Sequence, residues 1–190
     1  MSGERLSVEL GVSRTAVWKA VGVLRELGVD VDSLPRQGYR LAQPTTPLDK
    51  PGLFFALPEA TRARLEELRV SWRTTSTNQD LLQRGAPAQG RFCLHVAESQ
   101  SAGRGRRGRS WLAPPGGSLC LSWSWRFEAM PAHAGTLSLA IGLAAVRSLE
   151  ALGIRDVRVK WPNDLVTDDG KLAGILIETV SEAGGPALVV

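Results

Sequence analysis

The chain has 190 residues, of which 43% are hydrophobic and 22% charged, and its formal net charge is +4. This is an ordinary globular composition, which excludes a disordered chain. Its two cysteines and two histidines show neither CxxC nor metal-ligand spacing, so we expect buried thiols and no structural metal. No signal peptide precedes the first polar residues and no apolar run approaches membrane-spanning length, so we expect a cytoplasmic protein without membrane contact.

The first 42 residues predict a small helical module. Residues 3–10 favour a short helix and residues 14–27 a second one, with a turn at Gly11-Val12-Ser13 between them, whose serine suits an N-cap. Gly28 is a natural end for the second helix. Apolar residues recur at a spacing that lets two helices pack around a tight turn: Leu6, Leu10, Val12, Val17, Ala20 and Leu24. This pattern indicates a helix-turn-helix.

A hairpin follows the two helices. Residues 29–41 predict two short strands around Pro35-Arg36-Gln37-Gly38, and a hairpin in this place is typical of a wing. Because the first residues of a recognition helix reach base edges, the DNA-binding candidates are Arg14, Thr15, Trp18 and Lys19. A generic helical hairpin without a DNA contact is the alternative. A complete winged helix has a further helix before residue 3, so we expect a partial winged helix-turn-helix over residues 1–42.

A proline-rich stretch separates this module from the rest of the chain, so we expect residues 43–51 to be a linker. Residues 52–190 predict a mixed α/β domain, and the fold class is therefore α+β. The Asp168-Asp169-Gly170 sequence marks a hairpin turn, and Gly184-Gly185 marks another. The predicted helices are 58–68, 78–84 and 136–152, the last of them long and buried. The predicted strands are 70–74, 92–98, 118–127, 157–161, 171–180 and 187–190.

Four clusters in this domain could carry chemistry. The first is the run Gly103 to Arg109, whose glycines allow close approach of the backbone and whose four arginines offer forked cationic donors for phosphate or carboxylate. A solvated basic loop or an RNA-binding patch is the alternative. An ordered anion-binding loop is favoured because the run lies between two strong strands and is followed at once by Trp111. It matches neither a P-loop nor a Rossmann turn.

The other three clusters are ambiguous when each is taken alone. Ser76-Thr77-Asn78-Gln79, at a strand-to-helix junction, could bind a small polar ligand or could simply cap the helix. Lys160-Trp161-Pro162-Asn163-Asp164 could aim a point charge at a carboxylate or a phosphate, or could be a surface turn. In the run Gly170 to Leu176, the small residues Ala173 and Gly174 indicate either a ligand that approaches the strand or a bulge.

Together, and in this order, the four clusters resemble the signatures of biotin protein ligases. The run Glu98 to Trp111, which contains the GRGRRG sequence, resembles the biotin loop of that family, and the match is dense from residue 70 to residue 180. The N-terminal module resembles the winged helix of the bifunctional members, the biotin operon repressors. Lipoate ligases share the catalytic fold, which is related to the class II synthetases, but they lack this arginine-rich loop.

The resemblance implies that biotin and ATP form biotinyl-5′-AMP, with Mg²⁺ on the phosphates, and that a lysine of a biotin carboxyl carrier protein domain of acetyl-CoA carboxylase then receives biotin. It also implies further chain beyond Val190, a possible homodimer and possible binding to operator DNA. The catalytic residues implied are Lys160, Arg104 and Arg106. The biotin-binding residues implied are Ser76, Thr77, Asn78, Gln100, Gly103, Arg104, Arg106, Lys160 and Gly174. The ATP-binding residues implied are Arg107, Arg109, Trp111 and Asn163.

Two other classes of function remain open. The chain could be a transcription factor that senses biotin or its adenylate without catalysis. It could also be a basic nucleic-acid-binding protein, an interpretation that rests on the arginine loop alone and predicts binding with steep salt dependence and no affinity for biotin.

Overall fold

Two helices and a hairpin make up the N-terminal module, as predicted. The computed structural model describes residues 1–42, 46–129, 131–182 and 185–189, and beyond Val180 it describes the backbone alone. Helices α1 (Gly3–Leu10) and α2 (Arg14–Glu26) precede the antiparallel strands β1 (Val31–Leu34) and β2 (Gly38–Leu41). The Ser13 hydroxyl caps α2 by accepting a hydrogen bond from the Ala16 N–H at 3.1 Å.

Most of the apolar residues predicted to pack between these two helices are not buried. Val17 is buried, but Leu6 is only half-buried, and Leu10, which is 63% exposed, lies on the surface. The buried stripe of α2 consists of Val17 and Val21, one turn apart. A pair of helices with one hairpin covers only this stripe, so the remaining predicted positions stay exposed: Val12, Ala20 and Leu24.

The predicted linker ends in a helix. Its first three residues, 43–45, lie outside the described residues, and α3 (Lys50–Ala56) begins within it. The Asp49 carboxylate caps α3 by accepting from the Gly52 N–H at 2.7 Å, and Pro51 lies in the first turn. Proline in a first turn favours a helix start, so the same residue that suggested a linker marks the beginning of a helix.

The helix predicted over residues 58–68 is shorter than expected. Helix α4 (Glu59–Arg64) ends where β3 (Leu65–Thr74) begins. Leu65 and Leu68 are buried against Val96 in a hydrophobic core. Burial of these leucines in a parallel pairing with the next strand outweighs the helical propensity of the segment.

A six-stranded mixed sheet forms the main layer of the second domain. Helix α5 (Thr77–Arg84) is followed by β4 (Phe92–Arg104), β5 (Ser110–Ala113) and β6 (Cys120–Arg126). Strands β3 and β4 are parallel, while β4 pairs antiparallel with both β5 and β6. The strand order is β10 (Glu178–Glu182), β11 (Gly185–Val189), β6, β4, β3, and β5 pairs with β4. This arrangement confirms the predicted α+β class.

A smaller antiparallel sheet lies beside α6 (Leu137–Ala151). It contains β7 (Arg158–Lys160), β8 (Asp164–Thr167) and β9 (Gly170–Gly174), in that order. The single strand predicted over residues 171–180 is wrong, because the chain leaves β9 and continues as β10 (Glu178–Glu182), which pairs with β11 (Gly185–Val189) in the large sheet. The three residues between β9 and β10 therefore connect the two sheets. The predicted turn at Gly184 and the last residue of the predicted final strand lie outside the described residues.

Helix α6 is apolar around much of its circumference but covered on one face only. Val146 packs against Val157 and Leu165, whereas Leu143 is 48% exposed. The prediction of a buried helix is therefore correct for one face alone. Residues 134–151 are also long and apolar enough to cross a membrane by length and composition, contrary to the expectation that no run approaches that length, although the core helix of a globular domain meets the same criterion.

The two cysteines are buried, as predicted. Cys93 lies in β4 and Cys120 in β6, and burial raises the pKa of both thiols. Raised pKa values keep the thiols protonated, which removes the nucleophilic thiolate form. Neither cysteine is therefore a candidate for covalent catalysis.

Candidate functional site

The junction between β3 and α5 forms a buried polar cluster. The Ser76 hydroxyl caps α5 by accepting from the Gln79 N–H at 3.4 Å, so the capping alternative holds for this residue. Thr77 is also buried, yet its side chain turns to neighbouring strands: its N–H donates to Gln100 Oε1 at 2.7 Å and its hydroxyl donates to the same oxygen at 3.1 Å. The structure thus brings together the predicted Ser76, Thr77 and Gln100.

Ser122 completes this cluster, and sequence reasoning missed it. It lies on β6 with 1% of its surface exposed, 2.6 Å from the Thr77 hydroxyl, and it donates to Asn78 Oδ1. A signal was present, because polar residues alternate with large apolar ones along this strand. The interpretation would have turned the apolar side inward, whereas Ser122 and Ser124 are buried and Leu121 is half exposed. A strand that buries its small polar face indicates a site rather than a packed core.

Asn78 links the cluster to the chain between the two sheets. Its amide nitrogen donates to the Leu176 carbonyl at 3.3 Å and to Glu178 Oε2 at 2.9 Å, while its oxygen accepts from Ser122. Both amide hydrogens and one lone pair are thereby used. Gln100 differs, because its Nε2 has no hydrogen-bond partner within the described part of the chain. Gln100 therefore offers a free donor beside a cluster in which Thr77, Asn78 and Ser122 are already in contact with one another.

The glycine–arginine run is a structured hairpin. Gly103 is buried in β4, and a Cβ there would come within 2.5 Å of the Trp111 carbonyl oxygen on β5, so only glycine fits. Arg107 takes a left-handed backbone conformation with φ of 58°, followed by Gly108 with φ of 72°. A positive φ at a non-glycine residue is uncommon and marks a defined turn. The ordered loop inferred from the sequence is consistent with this geometry.

Among the described residues, two of the four arginine side chains make hydrogen bonds and two do not. Arg104 donates to both carboxylate oxygens of Glu178, at 3.0 and 3.1 Å, and Arg106 donates to Asn163 Oδ1 at 3.2 Å. Arg107 and Arg109 are exposed, and among the described residues their guanidinium groups have no hydrogen-bond or ion-pair partner. The loop therefore presents two exposed cations, Arg107 and Arg109, next to two others, Arg104 and Arg106, whose side chains are held by hydrogen bonds.

The Lys160-to-Asp164 turn connects β7 to β8 in the small sheet. Its Trp161–Pro162 peptide bond is cis. The Asn163 amide donates to the Ile175 carbonyl at 2.9 Å, and the Ile175 N–H donates back to the Asn163 carbonyl at 2.8 Å. Lys160 is exposed, and its ammonium has no partner among the described residues. The turn is thus anchored by Asn163 while Lys160 stays available to a ligand.

Lys171 joins the small sheet to the arginine hairpin and was not singled out by sequence reasoning. Its ammonium lies 2.8 Å from Asp164 Oδ1 and 5.2 Å from the centre of the Trp111 ring. A Cβ on Gly174 would come within 3.3 Å of the Lys171 side chain, so the glycine leaves room for that lysine. Trp111 and Gly174 therefore both lie against the Lys171 side chain.

Taken together, the site combines a buried, neutral polar cluster with an exposed cationic side. No group of three or more His, Cys, Asp and Glu side chains that could hold a metal occurs within the described ranges. Such a combination suits a ligand with a neutral, hydrogen-bonding end and an anionic end. The chain thus has two parts, the domain that contains this site and an N-terminal helix-turn-helix module.

Comparison with known proteins agrees with this division. Residues 69–190 match the family model described as the Biotin/lipoate A/B protein ligase family, and residues 1–40 match a model described as an HTH domain. The first match covers well over half of the chain. The chain therefore belongs to the Biotin/lipoate A/B protein ligase family, and the resemblance found in its sequence is confirmed.

Individual relatives carry both parts. Over its full length the chain is 46% identical to the Bifunctional ligase/repressor BirA of Salmonella typhimurium and 45% identical to that of Escherichia coli, and it spans 57% of the length of each. Among solved structures, a biotin protein ligase from Leishmania major in complex with biotinyl-5-AMP matches with a TM-score of 0.53 and 27% sequence identity, over 65% of this chain and 56% of that chain. The confirmed fold class is that of a biotin ligase.

Proposed function

We propose that this chain activates biotin with ATP and transfers it to a lysine of a biotin carboxyl carrier protein domain, as in acetyl-CoA carboxylase. In the first step a biotin carboxylate oxygen attacks the α-phosphorus of ATP and pyrophosphate leaves, which gives biotinyl-5′-AMP. In the second step the acceptor ε-amine attacks the acyl carbon, AMP leaves and the amine loses a proton. The observation that carries this proposal is a buried, neutral set of hydrogen-bonding groups that Asn78 and Glu178 connect to Arg104 of the arginine hairpin.

The pocket of Ser76, Thr77 and Gln100 supports the assignment of the biotin head. A ureido group has two N–H donors and one carbonyl acceptor, and Ser76 and Thr77 carry acceptor oxygens while the free Gln100 Nε2 is a donor. Asn78 belongs to this set as a residue that holds the others, because its own amide is already used. An apolar analogue of the biotin head would leave the Gln100 Nε2 donor without a partner and should bind more weakly.

The cationic side suits the reacting groups. Arg104, Arg106 and Lys160 would offset the repulsion between the biotin carboxylate and the α-phosphate, so that the two anions can be brought together. Positioning and electrostatic stabilisation of this kind need no protein nucleophile. The absence of a side chain at Gly103 and Gly174 lets the Trp111 carbonyl and the Lys171 side chain approach the backbone at these two positions. The residues proposed for the nucleotide are Arg107, Arg109, Trp111 and Asn163.

Mg²⁺ would accompany the phosphates of ATP. Asp164 is the acidic residue of the Lys160-to-Asp164 turn, and its carboxylate is paired with Lys171. Together with the absence of a three-ligand group in the described ranges, this donor set suits an ion held mainly by phosphate oxygens and water. Magnesium bound in this way supplies charge neutralisation at the phosphates.

The N-terminal module supports a second role, in which the chain represses transcription in response to biotin. Arg14, Thr15, Trp18 and Lys19 are all exposed on the first turns of α2, and Trp18 is 65% exposed. An exposed tryptophan flanked by cations at the start of a second helix suits contact with a DNA groove. Because operators with two-fold symmetry require proteins with two-fold symmetry, we propose a homodimer for the DNA-bound form.

We also propose that the protein acts in the cytoplasm, where the carrier protein and DNA are both accessible. In this proposal residues 1–42 form the DNA-binding domain, 43–51 the linker and 52–190 the biotin- and ATP-binding domain. Helix α3 begins at Lys50 and therefore spans the boundary between the linker and the second domain.

Biotin-dependent exchange between ATP and pyrophosphate tests the proposed activity. The wild-type chain should exchange label only when biotin is present, and Lys160→Ala should lower the rate by about a hundredfold or more, because it removes a cation from the reacting groups. Lys50→Ala on α3 is the matched control and should keep the wild-type rate. A chain that binds biotin without exchange would instead be a non-catalytic sensor, and a folded chain without biotin binding would contradict the proposal altogether.

A further inference from the structure

The carboxylate of Glu178 faces the cationic side of the proposed ligand site. Glu178 is the first residue of β10, directly after the segment that joins the two sheets, and its side chain is 24% exposed. It accepts from Arg104 on one side and from the Asn78 amide on the other. One acidic residue therefore ties the end of β4 to the start of α5.

Arg104 is the residue for which this arrangement matters most. Its Nη2 donates to both oxygens of Glu178, and the same nitrogen donates to Gln79 Oε1 at 3.3 Å. In the proposed function the same guanidinium meets the carboxylate of biotin. A carboxylate of the protein and a carboxylate of the ligand are chemically equivalent partners for it. A ligand carboxylate that binds at Nη2 therefore competes with Glu178 for the same donor.

We propose that Glu178 is an internal competitor that occupies Arg104 while the site is empty and yields it to the ligand carboxylate. Glu178 acts through Arg104 and touches no reacting atom, so it is a positioning residue. Ligand binding then replaces the ion pair between Arg104 and Glu178 by one between Arg104 and the ligand carboxylate. The carboxylate therefore contributes less binding free energy than it would with an arginine that had no partner. This inference rests on the proposed function, because that function supplies the competing carboxylate.

The contacts of Asn78 favour release of Arg104 rather than loss of Glu178 from the site. Asn78 is buried and its other bonds, to Leu176 and Ser122, stay within the protein. Glu178 is thus held from the side of α5 by a neutral donor whether or not Arg104 remains. Arg104, with 43% of its side chain exposed, is the freer member of the pair. The geometry therefore allows the arginine to turn while the glutamate keeps one partner.

The test is the affinity of biotin for Glu178→Gln, measured by calorimetry beside the wild-type chain. Glutamine keeps the size of the side chain and an acceptor for Asn78 but removes the charge that holds Arg104. We expect biotin to bind roughly twofold to fivefold more tightly, the range expected when one partly exposed ion pair is removed. Biotin alcohol, which lacks the carboxylate, should bind both proteins equally. Thermal melting checks that the variant is folded, and Glu178→Ala serves as a second variant that also removes the charge.

Arg104→Gln decides whether the effect acts through the arginine. In this background Glu178→Gln should leave the biotin affinity unchanged, because no donor remains to compete for. Unchanged or weaker binding of biotin by a folded Glu178→Gln in the wild-type background would overturn the inference, as would an equal gain for biotin alcohol. If the wild-type chain binds no biotin, the proposed function fails and this inference fails with it, a result separate from the comparison of variants.

Discussion

The two sides of the site differ in how much of their structure exists before a ligand arrives. On the pocket side, Thr77, Gln100 and Ser122 are joined by hydrogen bonds and largely removed from water. On the cationic side, Arg107, Arg109 and Lys160 point into solvent without partners among the described residues. The first arrangement gives selectivity through preorganisation, and the second gives attraction for an anion at little cost in stability.

This difference has an energetic reason. A buried hydroxyl or amide without a partner costs more than the bond it could make, so the pocket must satisfy its own groups before it binds. An exposed guanidinium remains solvated and needs no partner. The neutral end of the ligand is therefore met by a rigid surface and the charged end by movable side chains, and substitutions on the two sides should have different signatures.

The largest effect is expected from the pocket. Thr77→Val keeps the shape of the side chain but removes the hydroxyl that meets Gln100 and Ser122. Because buried partners are left unsatisfied, we expect biotin to bind about tenfold to a hundredfold more weakly. Calorimetry measures the affinity, and Thr61→Val in α4 is the matched control. Wild-type affinity in Thr77→Val would show that this network does not shape the biotin pocket.

A smaller effect, sensitive to salt, is expected on the cationic side. Arg109→Gln removes one exposed charge and should raise the KM for ATP by roughly threefold to tenfold at low ionic strength, with little change in the affinity for biotin. Added salt should shrink the difference, since exposed charges are screened over about 10 Å at 0.1 M. Arg147→Gln on the exposed face of α6 is the control. An effect that survives high salt would place Arg109 in a buried contact and break the contrast between the two sides.

The smallest effect concerns stability behind the pocket. His95 is fully buried on β4, with Nε2 3.0 Å from the Ser71 hydroxyl. Its Nδ1 is 3.2 Å from Asp80 of α5 without hydrogen-bonding geometry. Burial lowers the pKa of His95 below its ordinary value of 6.5; the charge of Arg69 lowers it further, while Asp80 and Glu67 raise it. The neutral ring is therefore the form that the fold prefers.

This preference gives the pH dependence a definite sign. Below pH 6.5 the unfolded chain binds a proton that the folded chain refuses, so the stability present at neutral pH is lost as the pH falls through and below that value. Urea midpoints measured from pH 7.5 to 5.5 should fall less in His95→Gln than in the wild type. His133→Gln, which alters an exposed histidine, should keep the wild-type slope. Equal slopes in all three proteins would show that folding does not lower the pKa of His95.

Sequence reasoning located the motifs because each is a continuous run with its own chemistry. The helix-turn-helix, the β3–α5 junction and the arginine hairpin all follow from local signals such as the Ser13 cap, the Ser76 cap and the glycines around Arg104. These signals concern neighbours in the chain, and their structural consequences are largely decided within a few residues.

The same reasoning missed contacts between distant residues. Glu178 reaches Asn78 across 100 positions and Ser122 reaches it across 44, and no local pattern announces either pairing. The division of residues 171–180 between two sheets likewise depends on which strands lie nearby. The inward face of β6 was the exception, because its alternating serines could have been interpreted as the wall of a polar pocket.

The central claim is that one ligand spans both sides of the site. The most direct test compares by calorimetry the binding of biotin and of a non-hydrolysable biotinyl-adenylate analogue to the same wild-type chain. We predict that the analogue binds about a hundredfold or more tightly, since it adds phosphate contacts on the cationic side to those of biotin, and that salt weakens the binding of the analogue more than the binding of biotin. Equal affinities for the two ligands would contradict the claim, because the arginine side would then contribute nothing to binding.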